Sequence, residues 1–139
     1  MDRMLYLREW LDLAENDIRV AEHSTELYPI PVEIVCYHCE QAAEKYLKAF
    51  LLLNSFDPPR IHDLSALCKQ CETYDGDFRI IAGFCSDLTK YGTQPRYPFE
   101  IEIEKADMDR ALYEAHQAAG FIAGKIDALL ILEQEQGKT

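Results

Sequence analysis

Between residues 107 and 134 the apolar side chains Met108, Leu112, Ala115, Ala119, Ile122, Ile126 and Leu129 recur at alternating steps of four and three. That spacing keeps one face of an α-helix apolar for about eight turns, and a strand, with its period of two, cannot reproduce it. A rod about 40 Å long at 1.5 Å per residue is buried along its length only by other rods. The chain is therefore expected to be all-α, an up-and-down bundle of four to five helices. A second row, Ala111, Ala118 and Phe121, widens the face beyond a narrow seam. It predicts that this helix also touches another subunit, in a homodimer.

Upstream, Tyr6, Trp10, Ala14, Ile18 and Ala21 keep helical spacing among Arg8, Glu15, Asp17, Arg19 and Glu22, which predicts a first helix over 3–25. Tyr28-Pro29-Ile30-Pro31 interrupts it, and Pro31 suits a first helical turn because its missing N–H leaves no hydrogen bond unmade there. A second helix runs to Asn54, with Val35, Cys39, Ala42, Tyr46, Ala49 and Leu53 toward the core. Its polar side, Glu33, Glu40, Glu44, Lys45 and Lys48, is expected to face water or a partner.

Phe56-Asp57-Pro58-Pro59 ends that helix. Leu64, Leu67, Cys68 and Cys71 mark a short third helix. Tyr74-Asp75-Gly76-Asp77 reads as a turn capping a fourth, which carries Phe78, Ile81, Ala82, Cys85 and Leu88. Helical spacing is lost through Gly92-Thr93-Gln94-Pro95 and Arg96-Tyr97-Pro98, so a loop is expected. Phe99, Ile101 and Ile103 then alternate with Glu100, Glu102 and Glu104, the period of a short extended segment.

With 139 residues, 48% of them hydrophobic, the chain supports one core, so a single domain over 1–139 is expected, ordered from about residue 3 to 134. The run Ala49–Leu53 is bounded by Lys48 and Asn54, far below the roughly 20 apolar residues of a membrane span. The N-terminus shows no signal-peptide pattern. A soluble, cytoplasmic protein is expected. A net charge of −11 opposes non-specific contact with DNA or anionic lipid, so any phosphate site must be a local concentration of Arg, Lys and His.

Cys36-x-x-Cys39 and Cys68-x-x-Cys71 have the spacing of a four-cysteine zinc site. Each pair falls inside an expected helix, however, where small buried thiols are the commoner use of cysteine, so no metal is assigned. No Walker loop, dinucleotide fingerprint or nucleophile elbow is present, and no cofactor is called for. Gly120-x-x-x-Gly124 is read as helix packing. What remains is a scattered polar set: Lys45 and Lys48 with Glu40 and Gln41, His62-Asp63, and Tyr91 with Arg96. If the ends of the second and fourth helices lie near the start of the third, Arg96, His62 and Lys48 can converge on a phosphate. The competing reading is a set of caps and surface ion pairs.

These residues also carry a resemblance, over most of the chain, to the HEPN family of prokaryotic helical domains. Trp10 and Ala14-Glu15-Asn16-Asp17 match its first helix; His38-Cys39-Glu40-Gln41-Ala42-Ala43-Glu44-Lys45-Tyr46-Leu47-Lys48-Ala49 matches its most specific stretch. His62-Asp63-Leu64 follows a proline-containing loop, and Tyr91 with Arg96-Tyr97-Pro98 precedes the last helix, both as in the family. The resemblance implies a homodimeric bundle that binds nucleotides and partners a small nucleotidyltransferase in a toxin-antitoxin-like pair. Nucleotide-binding residues would be Arg96, His62, Lys48, Lys45, Tyr91 and Asp63.

Other HEPN branches are metal-independent ribonucleases marked by an Arg, four to six residues, then a His, a spacing that Arg110 and His116 meet. Six positions along a helix leave the two about 120° apart in azimuth, so they are expected not to form a site within one subunit. A ligand-free dimerisation module is the third alternative.

Overall fold

The computed structural model describes residues 2–92 and 102–137. Among these, five α-helices and two 3-10 segments alternate with short connections: α1 (Arg3–Ser24), α2 (Val32–Leu53), α3 (Leu64–Glu72), a 3-10 turn (Gly76–Ile81), α4 (Ala82–Leu88), a second 3-10 turn (Thr89–Gly92) and α5 (Lys105–Gly137). The all-α expectation holds. The expected extended segment lies outside the described residues up to Ile101, as does Arg96-Tyr97-Pro98.

The helix ends have local chemical causes. Asp2 accepts a hydrogen bond from the Met4 N–H at the start of α1, and Asp63 accepts from Ser65 and Ala66 at the start of α3. Each short side chain satisfies a backbone donor that the first turn leaves free. At α5 the Asp107 carboxylate reaches back to the Glu104 N–H at 2.9 Å, half of a capping box, so the helix begins at Lys105 rather than at 107. α2 ends with Ser55 in the left-handed region, φ 64°, where the Phe56 N–H closes onto the Leu51 carbonyl. The expected fourth helix is split, because Gly76–Ile81 winds as a 3-10 turn capped by Asp75 before α4 begins.

α2 is the central rod. It runs beside α1 and α5 and carries α3 and the second 3-10 turn on its remaining sides. Its second half, from Leu47 to Leu53, is buried without interruption save for the aliphatic stem of Lys48, itself covered. Phe50 and Phe121 both pack on Phe78, with ring centroids 4.4 Å and 5.1 Å from it, the first ring tilted and the second edge-on. This aromatic cluster joins α2, the 3-10 turn and α5, and truncating Phe78 to Ala would cost about 3–5 kcal/mol.

α5 extends about 50 Å and is apolar and long enough, by composition, to cross a bilayer. Its Met108, Ala111, Ala115, Ala118, Ile122 and Ile126 are instead buried in the bundle. Ala111 and Ala118, read from sequence as a row left over for another subunit, are used inside this one. The reason is that α2, α4 and the 3-10 turn approach α5 from more than one direction. The expected polar side of α2 also needs correction: Glu40, Glu44 and Lys48 are buried, because a helix enclosed by neighbours has no water-facing side at its middle.

Candidate polar site along the second helix

His38, Gln41, Lys45 and Lys48 succeed one another along α2 at steps of three and four, with Glu40 and Glu44 beside them. That spacing makes a continuous polar band on a helix whose surroundings are apolar. Groups so placed must find partners or remain at a cost, and they form three clusters.

In the first, Asp17 of α1 serves two residues of α2. Its Oδ1 meets His38 Nδ1 at 2.9 Å, and its Oδ2 accepts from Lys45 Nζ at 2.5 Å. Asp17 sits in step with Ala14 and Ala21 on the buried face of α1. A charge on an apolar stripe was the signal, present in the sequence, that could have marked it as part of a site.

In the second cluster Glu44 is shared. Its Oε1 lies 2.7 Å from His62 Nδ1 and its Oε2 lies 3.7 Å from Lys48 Nζ. The Lys48 ammonium also stands 5.9 Å from the centre of the Trp10 ring, a cation–π contact. Among the described residues Lys48 makes this one ion pair, too long for a hydrogen bond, and the buried Trp10 Nε1 has no acceptor. His62 is largely exposed, with three quarters of its side chain open to solvent.

The third is Glu40, fully enclosed. Gln41 Nε2 donates to its Oε2 at 2.8 Å and its Oε1 has no partner. Burial, the dominant cause, pushes its carboxyl up to about 8. At neutral pH Glu40 is therefore mainly uncharged. The carboxylates of Asp17 and Glu44 then balance the ammonium groups of Lys45 and Lys48, and a proton on either histidine makes the band net positive despite the chain's −11.

The candidate nucleotide-binding residues divide accordingly. Lys48 and His62 are brought together by Glu44, and Lys45 is drawn aside to Asp17. Asp63 caps α3. Tyr91 is buried and hydrogen-bonded to Cys36, near the start of α2, with Lys90 over its ring. Arg96 lies outside the described residues. The start of α3 does meet the end of the fourth-helix region, since the Leu64 N–H donates to Thr89 Oγ1 at 3.0 Å. From α2, however, the contact comes from Glu44, well inside the helix.

Arg110 and His116 take different partners. Arg110 bonds Asp87 at 3.0 Å and Glu114 at 3.3 Å, whereas His116 Nε2 bonds Glu22 of α1 at 2.7 Å. Burial and the neighbouring Asp87 push the Glu114 carboxyl up to about 7. The cysteines do not converge either. Cys68 donates to the Phe78 carbonyl and pairs with Cys85, and Cys71 donates to the Leu47 carbonyl. Among the described residues no group of three or more His, Cys, Asp or Glu is placed to hold a metal ion.

No curated protein matches the chain. Two solved structures do: TT1696 from Thermus thermophilus, at TM-score 0.75 and 25% identity over 90% of this chain and 99% of that one, and ST0689, an archaeal HEPN homologue, at TM-score 0.67 and 24% identity over 86% and 97%. The HEPN domain family matches residues 7–124, a span that contains α2 to α4, the whole polar band and most of α1 and α5. The chain belongs to the HEPN domain family.

Proposed function

We propose that this HEPN protein binds a nucleotide and acts, as a homodimer, beside a small nucleotidyltransferase in a toxin-antitoxin-like pair. The observation that carries the binding part is the pair of donors at Lys48 Nζ, whose one ion pair among the described residues is 3.7 Å long, and Trp10 Nε1, which is buried with no hydrogen-bond acceptor among them. A phosphate oxygen supplies the acceptor that both lack, and the exposed His62 is placed to add a third donor. Arg96, four residues beyond Gly92, is assigned the bidentate phosphate contact that a planar guanidinium makes best. Lys45 supports the band through Asp17 rather than by touching the ligand.

The test is co-purification with the product of the adjacent gene, expected to be a nucleotidyltransferase, mass-spectrometric identification of any bound nucleotide, and titration calorimetry with that nucleotide. Trp10→Phe and Lys48→Met, which keep size and remove the donors, are expected to weaken binding about tenfold or more, and Arg96→Ala at least as much. A folded protein that binds no nucleotide at millimolar concentration overturns the reading.

A further inference from the structure

Tyr6, Leu13 and Val20 follow one another along α1 at intervals of seven, and Leu27 continues the series in the hydrogen-bonded turns that prolong the helix. All four are open to solvent, at 37%, 51%, 43% and 58%. A spacing of seven keeps side chains nearly in line, with a drift of about 20° per step. The result is a straight apolar seam about 100° around α1 from Leu7, Ala14 and Ala21, which are buried against the bundle.

Charges of both signs lie beside the seam: Glu9 and Asp12 in the first half, Arg19 in the second with His23 and Glu26 beyond it, and Asn16 between them. A concavity of 620 Å³ opens over the second half, lined by Asn16, Arg19, Val20, His23, Ser24 and Leu27, and a smaller one of 130 Å³ over the first half, lined by Tyr6, Glu9, Trp10 and Leu13.

From this we infer that α1 is the surface on which a second copy of the chain docks, with the two α1 helices antiparallel and crossing at Asn16. In an antiparallel crossing, residues whose numbers sum to about 32 stand level. Leu13 then meets Val20 of the second copy and Tyr6 meets Leu27, each pair twice by symmetry. Asp12 faces Arg19 twice by symmetry, so opposite charges meet along one edge of the seam, and Glu9 stands level with His23. Tyr6 and Leu13 of each copy then lie over the larger concavity of the other. A parallel pairing would place Glu9 on Glu9, Asp12 on Asp12 and Arg19 on Arg19, which disfavours it. The self-complementary pattern is what a two-fold interface requires.

This rests on the dimeric part of the function proposed above, and the test separates the two. Light scattering on the wild type is expected to give twice the 16.0 kDa chain mass. Leu13→Glu is expected to give monomers with unchanged helical circular dichroism, since half of the residue is open to solvent and it stands outside the core. Asp12→Arg and Arg19→Asp should each weaken the dimer about tenfold by placing like charges opposite, and the double variant Asp12→Arg/Arg19→Asp should restore it. A wild type of 16.0 kDa overturns both dimer and interface. A dimer that survives Leu13→Glu, or single variants that the double variant fails to rescue, overturns the interface and leaves the dimer standing.

Discussion

The carboxylate of Glu40 lies so close to the backbone of Gly92 that a Cβ on Gly92 would come within 3.1 Å of it. Glu40 has nowhere to retreat, being fully enclosed and tied to Gln41. An alanine in an unstrained position usually gains about 0.4–1 kcal/mol through the unfolded chain, but overpacking a closed site costs about 1–3 kcal/mol. Gly92→Ala is therefore expected to lower the thermal midpoint by several degrees. An unchanged or raised midpoint would show that the Glu40 side chain can yield.

The same carboxyl sets a pH dependence. Burial raises Glu40 from its ordinary 4.5 to about 8 and Glu114 to about 7. Between those limits the folded chain binds more protons than the unfolded one, so stability falls as pH rises through the window. Asp75, held down by Lys125, acts in the opposite sense but only at acid pH, below its ordinary value of 3.8. The thermal midpoint is expected to be lower near pH 8.5 than near pH 5.5. Glu40→Gln, which keeps the size and cannot ionise, should flatten most of that fall. A wild-type midpoint independent of pH across this range contradicts the assignment.

Glu40 also marks the limit of what could be read from the sequence. The period of α5 was legible because each apolar residue there repeats the message of the others, and the capping turn at Asp75 was legible from Tyr74-Asp75-Gly76-Asp77. A charge on α2 carries no such redundancy. Glu33 and Glu40 look alike along the chain, yet only Glu40 sits where neighbouring elements close around the helix. Ala111 and Ala118 mislead for the mirror-image reason: apolar residues in excess of one stripe suggest another subunit, when the elements before α5 cover them. The pairing of His62 with Glu44 depends on how the proline-containing loop returns to α2, which no local rule states.

Asp17 tests the band directly. Its carboxylate is the counter-charge of Lys45 and the partner of His38, and little of it reaches solvent. Removing one member of a buried pair leaves the other charge uncompensated, a loss of about 3–5 kcal/mol when burial is complete. Lys45 retains some exposure, so Asp17→Asn is expected to cost about 2 kcal/mol. Asp17→Asn/Lys45→Met should recover part of that. Urea unfolding of the four proteins of this cycle measures the coupling, and a coupling near zero would mean that water, not Lys45, balances Asp17.

All five cysteines are buried and free, and their environments predict the order in which they react. Burial pushes the Cys36 thiol up to about 12 and raises Cys39 and Cys71 as well, so little thiolate is present at neutral pH. Cys68 differs, because its hydrogen bond with Cys85 lowers it while raising Cys85. Its location points the same way. α3 is a nine-residue helix at the side of the bundle, whereas Cys36 and Cys39 belong to the 22-residue central α2. Opening a short peripheral helix takes less free energy than unfolding the element on which the core is assembled. A brief pulse of iodoacetamide on the native protein should therefore modify Cys68 first and leave Cys36 and Cys39 untouched, and all five should react in denaturant. Peptide mass spectrometry reads the order; modification of Cys36 or Cys39 as fast as Cys68 would mean that α2 opens as readily as α3, against the packing described for the core.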